Sequence, residues 1–171
     1  MARKTTKTAN LKLNTTRIDL SSDKRKRTVA LLQQQLADTM DLYSQTKQAH
    51  WTVSGPHFIA LHEMFDKFAS ELLLHVDEIA ERAMALGGHV QGTLRMAAAS
   101  TRLPEWKAND RSGGMVVVAM LADRFGLVCS STREAIDKAD DLGDADTADL
   151  FTGISRQLDQ SLWFLEAHLR G

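Results

Sequence analysis

A chain of 171 residues, 43% of them hydrophobic, is long enough for one substantial core and short of two ordinary domains. Its single cysteine, Cys129, excludes an internal disulfide, and no unbroken apolar run reaches the roughly 18 residues that span a bilayer. The formal net charge of −1 hides a division, because residues 1–27 hold nine Lys/Arg against two acids and the remainder is acidic.

Met1 to about Leu20 is polar, rich in Thr, Asn and Lys, and without a sustained period, so residues 1–20 read as a flexible basic tail. A basic tail on an acidic body can reach a polyanion that the body itself would repel, and Arg3, Lys4, Lys7, Lys12 and Arg17 are the cations placed to do so. Residues 21–171 then read as one helical domain. A first helix begins near Ser21-Ser22-Asp23, which are good N-cap residues. Val29, Leu32, Leu36, Met40, Tyr43 and His50 recur at helical spacing, so His50 closes the core-facing stripe and is expected to be buried. Trp51 beside it is ordinarily a core aromatic. Gly55-Pro56 marks a turn, and a second helix runs from about Phe58 to Leu86 on Leu61, Phe65, Phe68, Leu72, His75, Ile79 and Ala83. Gly87-Gly88 stops it. His75, on the apolar face, reads as a hydrogen-bonded core histidine, while His57, His89 and His168 receive no role.

Residues 87–108 form a connection of 22 residues, longer than an ordinary helix–helix loop, in which LRMAAAST can make a short helix of its own. The third helix is expected over about Asp110 to Ala139 on Met115, Val118, Leu121, Ala122, Phe125, Val128, Thr132 and Ile136. Cys129 lies in its apolar phase and reads as packing. The fourth spans about Ala145 to His168 on Leu150, Ile154, Leu158, Leu162 and Leu165. Between them DDLGDADTAD gathers acids that suit a helix start. In a closed shell the same acids, Asp144, Asp146 and Asp149 among them, could ring a cation entrance. Four long helices with a long crossover, carrying a short extra helix, between the second and third give an all-α, ferritin-like four-helix bundle.

The chemistry is concentrated between His50 and Glu81. At about 100° per residue, His62, Asp66, Asp77 and Glu81 share one stripe of the second helix. Along its axis His62 and Glu81 are roughly 28 Å apart, and Asp66 and Asp77 roughly 16 Å, so no single ion can use both pairs of one helix. Positions 62 and 81 share the midpoint 71.5 with positions 66 and 77. An antiparallel two-fold contact near Glu71 and Leu72 would therefore set His62 opposite the partner's Glu81 and Asp66 opposite the partner's Asp77, making two identical sites. Ala69, Leu73 and Ala80 fill the same stripe with small or apolar side chains, where a merely solvated face would carry polar ones. A hairpin centred near residue 56 brings His50 across from His62. Imidazole and carboxylate without thiolate suit iron, manganese or zinc, and room for two ions in an oxygen-rich set favours iron over structural zinc. Beside such a metal Trp51 is also a candidate one-electron donor.

These residues resemble the Dps family, the DNA-binding proteins from starved cells, within the ferritin-like superfamily. The carrying stretch is KQAHWTVSGPHFIALHEMFDKFASELLLHVDEIAERAMALGG, with the spacing H-x11-H-x3-D-x10-D-x3-E, and the likeness continues through DTADL and LDQSLWFLEAHL. The resemblance implies a hollow shell of twelve subunits built from two-fold dimers, cytoplasmic and associated with the nucleoid. It implies oxidation of Fe(II), preferably with hydrogen peroxide, and ferric storage inside the shell. It makes His50, His62, Asp66, Asp77 and Glu81 ligands of a two-iron ferroxidase site between subunits, and the tail a non-specific DNA-binding element. The alternative is a purely architectural DNA-compacting protein whose metal site staples the dimer.

Overall fold

The computed structural model describes residues 12–109 and 112–170, and among them it has five helices and no strand. They are α1 (Ser22–Thr52), α2 (Phe58–Ala85), α3 (Leu94–Ser100), α4 (Gly114–Asp141) and α5 (Ala145–Leu169). Long helices pair within two hairpins, α1 with α2 and α4 with α5, and the α1–α4 contact joins them. The short α3 lies against α1 in the crossover, as the sequence led us to expect.

Local chemistry sets the helix ends. Ser21 caps α1, its hydroxyl accepting from the Lys24 amide. After α2 the chain turns at Gly87, whose φ of +82° suits only glycine, and a Cβ there would stand 2.5 Å from the Asn14 carbonyl oxygen. α4 starts at Gly114 rather than near Asp110. The Gly113-Gly114 pair resists helical extension, and Gly114 packs so closely that a Cβ would lie 3.0 Å from the Ser54 carbonyl oxygen.

Inside the bundle Leu32, Phe65, Phe68, Leu121, Phe125, Phe151 and Leu158 are fully buried, with the Phe68 and Phe125 rings 5.7 Å apart. Each such side chain contributes about 1.5–3 kcal/mol of transfer free energy, so this layer dominates stability. Met115, expected on the core face, is 37% exposed at the rim. α4 is long and apolar enough to cross a membrane, and Val117, Val118, Leu121, Phe125 and Val128 account for that apolarity by lying inside the bundle.

Buried polar side chains fasten the crossover. Asp38 accepts from the Arg102 amide at 2.7 Å and from its Nε at 2.8 Å. Arg124 reaches from α4 to Gln45 at 2.9 Å and to the Glu105 carbonyl at 3.2 Å, beneath the Trp106 ring. Residues 12–20 carry no helix or strand. Their backbone is nevertheless tied to the bundle, since the Asn14 amide donates to Gly87 O at 2.8 Å and Leu13, Ile18 and Leu20 pack against the core.

Candidate metal centre

The end of α1 and the start of α2 meet across the Gly55-Pro56 turn, where Gly55 takes a φ of +106°. This brings His50 and His62 face to face, ring centroids 3.7 Å apart, with Phe58 on the far side of His62 at 5.1 Å. The rings exchange hydrogen bonds with each other's backbone: Nδ1 of His50 donates to His62 O and Nδ1 of His62 donates to His50 O, both at 2.8 Å. A carbonyl oxygen can only accept, so each Nδ1 bears a proton, and Nε2 is the nitrogen left to offer a lone pair to an ion. Such an orienting bond fixes a histidine for metal binding. The His50 carbonyl belongs to the last turn of α1, where carbonyls lack helical partners, so His62 also satisfies that helix end. Both histidines are half-buried. The expectation of a buried His50 is corrected: it lies near the end of α1, beside the Gly55-Pro56 turn, where its ring is only half-buried.

Asp66 stands one turn beyond His62, with Lys47 Nζ on its Oδ1 at 2.6 Å. That hydrogen bond holds the Asp66 carboxyl below the usual carboxylate range; burial opposes it, and positive charge on Lys47, His50 and His62 adds to it. Lys47 also lies 5.8 Å from the centre of the Trp51 ring. The sequence reading passed over Lys47, although its place three residues before His50 puts it on the same helix face. Trp51 is 67% exposed, so it is no core aromatic in the single chain.

Asp77 and Glu81 lie at the other end of α2, one turn apart. Among the described residues, no three His, Cys, Asp or Glu side chains of one chain come close enough to hold an ion. The candidate ligands of one chain fall in two groups at opposite ends of α2. Ala69 does not belong to the surface between them: it is 1% exposed, turned into its own bundle, while Leu73 at 49% and Leu74 at 65% occupy the open centre. Ala80 is half-buried against the core. Ile59 and Met84, both exposed apolar residues, share the midpoint of the candidate ligand pairs, as an antiparallel contact about that point would require.

His75 is half-buried and its Nδ1 pairs with Glu78 at 3.0 Å, away from the ligand face, which bears out a hydrogen-bonded role. Cys129 is fully buried packing, as expected. Of the tail cations, Lys12 and Arg17 are exposed, while Arg3, Lys4 and Lys7 lie outside the described residues. Asp144, expected among the acids of a cation entrance, is 2% exposed and already engaged. It caps α5, accepting from the Thr147 amide at 3.1 Å and hydroxyl at 2.8 Å, and it pairs with Arg82 at 2.6 Å. Within the single chain this carboxylate faces Arg82 and Thr147 and not open solvent. Asp146 and Asp149 remain exposed.

A family model described as a ferritin-like domain matches residues 29–171, which makes the chain a ferritin-like four-helix protein. Among relatives, the DNA protection during starvation protein of Agrobacterium fabrum is 41% identical over 165 residues, covering 94% of this chain and 98% of that one. The protein of the same name from Mycolicibacterium smegmatis is 35% identical over 149 residues, covering 86% and 80%. Of solved structures, DpsA14 from Streptomyces coelicolor superposes with a TM-score of 0.90 at 32% identity, covering 95% and 96%. The tetragonal form of Mycobacterium smegmatis Dps gives 0.89 at 31%, covering 94% and 96%. The chain belongs to the Dps family.

Proposed function

We propose that this protein removes Fe(II) by oxidising it, preferably with hydrogen peroxide, stores the ferric product inside a hollow dodecameric shell, and binds DNA non-specifically through its basic tail. It acts in the cytoplasm, at the nucleoid. One observation carries the reading. His50, His62 and Asp66 form a pre-oriented half-site at one end of α2, and Asp77 and Glu81 supply the complementary carboxylates at the other end. Two antiparallel copies would complete two sites for a pair of irons each.

Carboxylates stabilise Fe(III) over Fe(II), and so favour oxidation. Two Fe(II) ions give up one electron each to one peroxide, which takes up two protons and leaves as two waters. Because both electrons arrive together, no hydroxyl radical is released. Asp66 stays ionised beside its cation, ready to exchange Lys47 for Fe(II), and the imidazole Nε2 atoms need no proton rearrangement before binding. Trp51, open and next to His50, is placed to give a single electron when only one iron is present. Asp146 and Asp149 are the carboxylates left for a cation entrance.

The decisive experiment uses two inactive mutants, one with His62→Ala and Asp66→Ala, the other with Asp77→Ala and Glu81→Ala. Unfolded together and reassembled, a mixed dimer has one doubly damaged site and one intact site. Random mixing makes about half the dimers mixed, so about a quarter of wild-type ferroxidase activity returns. A site built within one chain gives no recovery. Should the particle instead bind DNA while oxidising no Fe(II) with added peroxide, the purely architectural reading replaces this one.

A further inference from the structure

The first turns of α1 break an electrostatic rule. A helix N-terminus carries about half a positive charge and favours acids. Here Lys24, Arg25, Lys26 and Arg27 follow one another, with Asp23 the acid of the first turn. Arg25 is accounted for: it donates to the carbonyls of Asn14, Leu20 and Leu86, pinning the root of the tail to the end of α2. Lys24, Lys26 and Arg27 are exposed, and none of them has an ion pair among the described residues. The same holds for Lys12 and Arg17 upstream. Like charges crowded at a helix end are destabilising, and a local rule broken without compensation is a mark of function.

The tail root gives these cations a shape. With Asn14 held by Gly87 and Arg25, Lys12 comes to line one concavity of about 520 Å³ with Thr15, Ser22, Arg25 and Lys26. Ammonium groups and hydroxyls beside the amides of a helix N-terminus suit a phosphate oxygen. On the other flank Arg27 lines a groove with Arg102, Lys138 and one acid, Asp141; Arg102 is paired with Asp38 and Lys138 with Glu134.

We infer that Lys12, Lys24, Lys26 and Arg27 form a fixed cationic collar for the backbone of duplex DNA, so that the DNA contact begins on the folded body and not only in the tail. Around α1, Lys26 lies about 200° and Arg27 about 300° from Lys24. One small anion cannot touch them all, whereas a long polyanion can. An anionic membrane would need an apolar anchor beside the charges, and Leu13, Ile18 and Leu20 are packed against the core instead. The collar rests on the DNA-binding reading of the tail but differs from it physically, since its cations need less ordering on contact and lose less entropy.

The test compares five assembled proteins on a mixed-sequence DNA duplex across a salt series: the full chain, a deletion of residues 1–11, the variant K24Q/K26Q/R27Q, the combination of the two, and K24R/K26R. The triple variant is expected to flatten the dependence of log K on log salt by about 0.9 for each phosphate that is no longer neutralised, up to about 2.7 for each engaged subunit. The deletion keeps salt-dependent binding that the combination weakens, and the charge-keeping K24R/K26R retains full affinity. Inorganic phosphate at matched phosphate concentration does not displace the duplex. Unaltered slope and affinity in the triple variant overturn the collar, and so does loss of all binding in the deletion; both leave the tail reading standing. A full chain with no salt-dependent binding overturns the two together. Unchanged thermal melting of the triple variant excludes misfolding as the cause of weaker binding.

Discussion

Replacing Asp144 by Asn and by Ala separates two tasks of one carboxylate. Asn keeps the cap on α5 and removes the charge that faces Arg82; Ala removes both. Breaking one side of a buried ion pair costs about 3–5 kcal/mol when the remaining charge is stranded. Here the remaining charge is the Arg82 guanidinium, whose side chain is 17% exposed and has an Asp146 oxygen 3.6 Å away. The Asn variant is therefore expected below that range, at about 2 kcal/mol, with about 1 kcal/mol more for Ala through the lost cap. For a chain of this size each kcal/mol moves the Tm by about 2–4 °C, so the drops are about 4–8 °C and 6–12 °C. Arg82→Met is expected to cost more than Asp144→Asn, because it leaves a carboxylate stranded where the side chain is 2% exposed. Circular-dichroism melting of the assembled protein reads these numbers, with Fe(II) uptake followed in parallel. Asp146→Asn with Asp149→Asn should spare the Tm and slow uptake most at low ionic strength, where steering is least screened. An Asp144→Asn protein with unchanged melting and slowed uptake would refute the reasoning and return Asp144 to the entrance.

Gly87→Ala forces a side chain into a φ of +82° and against the Asn14 carbonyl, so it should destabilise by about 1–3 kcal/mol and speed tryptic cleavage after Arg17 as the tail root lifts. Cleavage at the wild-type rate would show that Gly87 does not hold the root. The Cys129 thiol is pushed up to about 12 by burial, with Asp159 adding to the effect, so Ellman's reagent at about pH 8 should find no thiol in the folded protein and one in denaturant. A raised pKa gives stability present below the ordinary value near 9.0 and lost as pH climbs toward about 12, so wild type should lose more stability over that window than Cys129→Ala. Equal losses would place the alkaline sensitivity elsewhere.

The long helices were legible because their apolar positions repeat with the helical period and their ends carry Ser, Gly or Asp. The short helix in the crossover was legible too, since Thr93 precedes a run of good helix formers. What failed were judgements about which flank of a stripe faces the bundle. Ala69 and Leu73 lie about 40° apart on α2, yet one is buried and the other open, a distinction that depends on where α5 and α1 lie. The burial of Asp144 was illegible for a related reason, because its partner Arg82 is 62 residues away in sequence. The exchange of bonds between His50 and His62 was half legible: the turn predicted their meeting, while the carbonyl acceptors belong to the backbone and have no signature in side-chain spacing. Lys47 was visible and passed over.

The unbroken length of α2 has a consequence for newly made subunits. A rigid helix keeps the two candidate ligand sets apart at a distance no fluctuation of the folded chain can close, so on the proposed reading a lone chain holds no complete site. Under that reading reactivity grows with the square of subunit concentration at first, as second copies dock. On the proposed reading, iron oxidation then waits for docking, and a stray single subunit has no complete site at which to begin it.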